Sequence, residues 1–181
     1  LKKINFDNHG YSKNIITGEL FNKKFKILIG DNYNKINFKL FETGVTAEID
    51  LNENQNESLI KGAFKSKFLN SNLKFDFEYD NKKFKIFNSY FRNKNLSFSN
   101  KSTIIYKPFF STDSIFKVED IDINLLKDIN INKILASKDL IKKINTKNEI
   151  DFKSQKFSRN LIDDLNLNIN LAYGRLSYVK V

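Results

Sequence analysis

A chain of 181 residues has the length of one domain, long enough to bury roughly 70 % of its extended surface. It has no cysteine, which excludes thiol catalysis, disulfides and thiolate metal sites, and its six glycines and single histidine leave little for a phosphate cradle or an acid–base pair. Lys+Arg exceed Asp+Glu by 31 to 21, a formal charge of +10, but the basic residues are interleaved with acids, so solvated faces are expected and nucleic acid is not.

Along the chain, apolar and polar residues alternate at period two, the mark of strands with one buried and one wet face. Strands are expected over about 3–8, 15–21, 24–30, 35–41, 44–51, 58–69, 72–79, 83–91, 95–99, 102–110, 114–126, 148–157, 162–173 and 175–181. The clearest are "VTAEIDL", with Val45, Ala47, Ile49 and Leu51 on one side, and "LKFDFEYD", with Leu73, Phe75, Phe77 and Tyr79 opposite Lys74, Asp76, Glu78 and Asp80. "LNLNINLAY" repeats the pattern with Leu165, Leu167, Ile169 and Leu171. Between them "FDNHGYSKN", "GDNYNK", "ETG", "NENQNES", "YDNKK", "RNKN" and "YGR" read as hairpin connections.

One stretch departs from this period. In "DININKILASKDLIKKI", Ile131, Ile134, Leu135, Ile141 and Ile144 fall near helical spacing, and lysines gather at the end that a helix dipole favours. A short amphipathic helix is expected at 128–144. The fold expected from the whole is a single β-rich domain over 1–181, mainly β: a long antiparallel, curved hairpin meander with an apolar concave face and that one helix.

The hexamer NKKFKI occurs at Asn22–Ile27 and again at Asn81–Ile86. In both copies Phe and Ile alternate just after a polar turn, so each is expected to open a strand. A looser echo joins "ITGELFNKKF" from Ile16 to "IKGAFKSKF" from Ile60. Repeats of one supersecondary unit build arrays in which each unit meets mainly its neighbours.

Candidate chemistry is sparse. His9 sits in an expected turn with no nucleophile motif beside it, and no GxSxG, HExxH or CxxC pattern occurs. Glu119, Asp120 and Asp122 read as a solvated strand face. "DLNENQNE" imitates a calcium loop at Asp50, Asn52 and Asn54, but Gln55 stands where the turn glycine belongs and Lys61 where the bidentate Glu belongs. The aromatic strand "KKFKIFNSYF" lacks the motif of an RNA-stacking sheet, and its alternate aromatics read as core. No cofactor, metal or enzymatic activity is expected, and no apolar run approaches the ~20 residues of a membrane helix.

"ITGELFNKKFKILIG", the segment from "IKGAFKSKF" to "STIIYKPFF", "FKVEDIDINLL" and the closing "LIDDLNLNINLAYGRLSYVKV" together resemble the AsmA-like family of Gram-negative envelope proteins. The resemblance covers most of the chain and rests on its style of repeat. It implies a piece of a longer periplasmic β-groove protein, held at the inner membrane by a helix outside this stretch and involved in phospholipid movement or outer-membrane maintenance. The sequence itself, opening at Leu1 without methionine and closing in "LSYVKV", also reads as part of a longer chain. Candidate lipid-groove residues are Val45, Ala47, Ile49, Leu73, Phe75, Phe77, Tyr79, Phe84, Ile86, Leu165, Leu167, Ile169 and Leu171. The same residues would serve as the core of a structural or adhesive β-sandwich, which is the alternative reading.

Overall fold

The computed structural model describes residues 1–10, 12–30, 32–52, 59–121, 144–153 and 164–180. They form thirteen strands in one sheet whose spatial order is the chain order. The strands are β1 (Lys2–Asn8), β2 (Lys13–Leu20), β3 (Lys23–Gly30), β4 (Lys35–Leu40), β5 (Val45–Leu51), β6 (Ile60–Phe68), β7 (Ser71–Tyr79), β8 (Lys83–Arg92), β9 (Leu96–Ile105), β10 (Ser111–Ile121), β11 (Asn145–Lys153), β12 (Asp164–Ala172) and β13 (Arg175–Lys180). The sheet is open: β1 and β13 each pair with one neighbour only.

Local chemistry sets the turns. Phe21–Asn22, Leu69–Asn70 and Tyr173–Gly174 are two-residue hairpin loops with positive φ at both positions, the geometry that matches the right-handed twist of the flanking strands. Elsewhere short polar side chains close the turn. Asp80 Oδ1 accepts from the backbone N–H groups of Lys82 and Lys83 at 2.8 and 2.9 Å, and Asn93 Oδ1 accepts from those of Asn95 and Leu96 at 2.8 Å each.

Two sequence expectations are corrected. The sheet is mixed, not wholly antiparallel, because β10 pairs β11 in parallel from Ser111↔Asn145 to Val118↔Phe152. Side-chain alternation is blind to strand direction, so nothing in the pattern marks this junction. The expected break between 99 and 102 is also absent: β9 runs unbroken through Asn100 and Lys101, and the turn falls at Tyr106–Phe110. The helix expected at 128–144 lies outside the described residues save for Ile144, which leads directly into β11.

Both copies of NKKFKI do open strands, β3 and β8, with Phe and Ile on one face. They are not structural equivalents, since β3 and β8 stand five places apart in an antiparallel run and point in opposite directions. The looser echo is the equivalent one. Gly18 on β2 and Gly62 on β6 are four strands apart and run the same way, and each lies directly opposite a phenylalanine, Phe25 and Phe77. A Cβ on Gly18 would meet the Phe25 ring at 2.8 Å and one on Gly62 the Phe77 ring at 3.0 Å, so the rings lie down over the glycines.

Among the described residues no second sheet covers this one. The accessible surface is 13596 Å², against roughly 9,000 Å² for a compact protein of this mass. Phe25, Phe77 and Phe152 are the buried large apolar side chains of the described strands.

Candidate functional site

Residues directly opposed across a ladder share a face, as do alternate residues along a strand. One row on the sheet reads Phe6, Ile16, Ile27, Phe38, Ala47, Ser66, Leu73, Phe91, Phe98, Val118, Phe152, Leu165, each directly opposite the next. It crosses β1 to β12 and Ser66 is its one polar member. At about 4.8 Å per strand the row is about 53 Å long. A second row beside it carries Ile29, Ile36, Ile49, Phe64 and Phe75, and resumes beyond β9 with Phe116, Ile150 and Leu167.

All the candidate residues fall on this face. Leu73, Phe75, Phe77 and Tyr79 stand on β7 beside Phe84 and Ile86 on β8, and the rings touch: Phe75–Phe84 at 6.4 Å, Phe77–Phe84 at 5.4 Å and Tyr79–Phe84 at 6.4 Å between centroids. Val45, Ala47 and Ile49 lie two strands away on β5, and Leu165 to Leu171 five strands away on β12, joined to the first group through the rows. The alternation missed Phe25, Phe38, Phe91, Phe98 and Phe152, although all but Phe91 sit in phase within their own strands. Phe91–Phe98 stack at 5.0 Å and Phe98 meets Phe116 edge-on at 5.7 Å, extending the aromatic surface across the parallel junction's near side.

Bulges keep the apolar residues on one side. Ile86 and Phe91 are an odd number of residues apart, yet both face the same way because the β8 register shifts near Asn88, whose φ is +48° and whose Nδ2 bonds Asp76 Oδ2 at 2.8 Å. A second shift between Val118 and Asp120 lets Val118 oppose Phe98 and Ile121 oppose Leu96. Ile121 therefore joins Val118's face; Asp122 lies outside the described residues.

Polar side chains interrupt the apolar face on β8 to β11. The hydroxyl of Ser89 donates to the Asn100 carbonyl, Ser102 Oγ lies 2.8 Å from Ser114 Oγ, and Asn148 Nδ2 donates to the Ile169 carbonyl at 3.2 Å. These groups satisfy one another, so the patch costs little while narrowing the apolar track to the ends of the strands near Phe98, Val118 and Phe152.

The opposite face is charged. Lys61 and Lys85 flank Glu78 at 2.8 and 3.5 Å, and Lys35 reaches Glu48 and Asp50 at 3.3 and 3.5 Å. The hydrogen bond from Lys61 holds Glu78 below the usual carboxylate range, and the one to Glu48 raises Lys35. Depressions of about 560, 600 and 360 Å³ open on this polar face, the first beneath Lys26, Lys39, Lys65, Lys67 and Lys74, the second beside Asp113 and Lys147, the third beside Lys101 and Lys117.

Among the described residues no group of three metal-ligating side chains converges. His9 is an exposed turn residue whose N–H bonds the Lys13 carbonyl at 3.1 Å. Of the calcium look-alike, Asp50 pairs with Lys35, while Asn54 and Gln55 lie outside the described residues. No described helix is long and apolar enough to cross a membrane. Compared with known proteins, the chain matches no family model, no curated protein and no solved structure.

Proposed function

We propose that this chain is a lipid-bearing segment of a periplasmic β-groove protein of the AsmA-like type, in which the apolar face of an open sheet curves around phospholipid acyl chains and screens them from water. The observation that carries the reading is the row from Phe6 to Leu165 across twelve neighbouring strands, apolar at every member but Ser66, with no second sheet over it among the described residues. Withdrawing a methylene from water gains about 0.8 kcal/mol, so a track that shelters a dozen at once supplies roughly 10 kcal/mol before the cost of ordering the lipid. The resemblance in sequence style adds the envelope setting, an inner-membrane anchor in the full-length protein, and a role in phospholipid movement or outer-membrane maintenance.

The test places a photo-crosslinking residue at Phe91 or at Lys85, on opposite faces, and identifies adducts and co-purified lipids by mass spectrometry. Phospholipid captured at Phe91 and not at Lys85 is expected. A chain purified without bound phospholipid, and with no lipid adduct at Phe91, would sink the reading and favour a structural or adhesive module whose apolar face is covered by protein.

A further inference from the structure

The hairpins β2–β3, β4–β5 and β6–β7 all turn at the same end of the sheet. Their tips carry apolar residues. Phe21 is 87 % exposed and Leu69 is 83 % exposed, each at the first position of a two-residue loop with φ of +52° and +46°, and Phe41, 38 % exposed, lies in the turn between them. Left-handed backbone is costly for bulky side chains, and Asn, Asp or Gly is the usual occupant of that position. Four strands separate the Phe21 tip from the Leu69 tip, about 19 Å, with Phe41 midway.

At the same end the polar face has lost its charge balance. Lys26 stands directly opposite Lys39, and Lys65 directly opposite Lys74, although like charges facing across a ladder destabilise it. Together with Lys67 they line the 560 Å³ depression, and none of the five forms an ion pair among the described residues; Lys39 and Lys74 lie over the Phe41 and Tyr90 rings, 5.3 and 5.7 Å from the centroids. Glu48 stands directly opposite Lys65 but bonds Lys35. At the opposite end of the strands the order is Lys61, Glu78, Lys85, with charges alternating.

We propose that this end of β2–β7 docks edge-on to an anionic phospholipid bilayer, the tips of Phe21, Phe41 and Leu69 entering the acyl boundary while the lysines that lack a carboxylate partner meet lipid phosphates. Strained apolar tips and like charges facing across the ladder are two separate costs in the isolated chain, and one partner relieves both. An aligned edge suits a flat, deformable surface, and bilayers combine an apolar interior with negative headgroups.

The experiment measures adsorption of the 181-residue chain to vesicles of phosphatidylcholine with and without 30 % phosphatidylglycerol, by sedimentation. Binding is expected only with phosphatidylglycerol and is expected to weaken with salt. The double variant Phe21→Asn/Leu69→Asn places a turn-favouring residue at each strained position, so it should melt no lower than the parent yet bind at least tenfold more weakly. Lys26→Gln/Lys74→Gln should weaken binding several-fold. Equal binding to both vesicles, undiminished binding by the Asn variant, or binding to an acidic polymer such as heparin but not to vesicles would each overturn the docking edge. The crosslink at Phe91 reads the apolar face separately, so either idea can fail while the other stands.

Discussion

Phe77 buries itself in a sheet without a covering layer by lying across Gly62, and the backbone there is close as well: a Cβ on Gly62 would sit 2.4 Å from the Asp50 carbonyl oxygen. At Gly18 the nearest obstacle is the Phe25 ring at 2.8 Å, with the Lys2 carbonyl at 3.1 Å. A ring can turn and a strand carbonyl cannot, so Gly62→Ala is expected to cost about 1–3 kcal/mol and Gly18→Ala less, compared by urea unfolding. Tyr106 stacks on Tyr79 at 6.1 Å and donates its hydroxyl hydrogen to the Asp80 carbonyl. Partial burial first, and then the hydrogen bond with Tyr79, push its pKa from 10.0 up to about 12. The folded chain thus keeps this proton at pH values where the unfolded chain has lost it. Its contribution is full below pH 10 and declines as the pH rises through the interval to about 12. Absorbance titration should show a late-ionising tyrosine that Tyr106→Phe removes, and the same variant should flatten the alkaline loss of stability.

On β6–β7 one pair breaks the pairwise charge rule, Lys65 standing directly opposite Lys74. Replacing Lys74 by Glu converts the row Glu48, Lys65, Lys74 into alternating signs, so Lys74→Glu is expected to stabilise the chain by roughly 0.2–1 kcal/mol in chemical denaturation. The existence and phase of such strands were legible in the sequence, because "LKFDFEYD" and "VTAEIDL" alternate without error. Where alternation slips, as between Ile86 and Phe91, a bulge restores the face, and period two alone reads the slip as a change of side. The parallel β10–β11 junction left no trace, since direction does not alter which side chains share a face. Phe21 and Leu69 did leave one: each is an apolar residue out of phase with its strand and followed by Asn, the signature of a two-residue loop with an apolar tip. The literal hexamer misled, being an equivalence of strand starts, whereas the Gly18 and Gly62 echo marked positions that the sheet does bring into the same orientation.

Taken whole, thirteen strands in one layer make a wide object, about 58 Å from β1 to β13 at the usual strand spacing. A compact chain of this length has a radius of gyration of roughly 16 Å, so small-angle scattering at low concentration should give a value clearly above that; one at or below it would mean the sheet is folded upon a second layer. The proposed lipid binding at the open apolar face carries a thermodynamic consequence. A ligand that binds the folded sheet and not the unfolded chain stabilises it by RT ln(1 + [L]/Kd), about 2.7 kcal/mol at a hundredfold excess over Kd. Micelle-free, short-chain phospholipid is therefore expected to raise the melting temperature and to displace a hydrophobic dye in parallel. Phe98→Ser, in the middle of the apolar row between Phe91 and Val118, should lower the starting stability and also shrink the lipid-induced rise. A variant that melts lower but gains as much from lipid as the parent would place the bound chains somewhere other than this row.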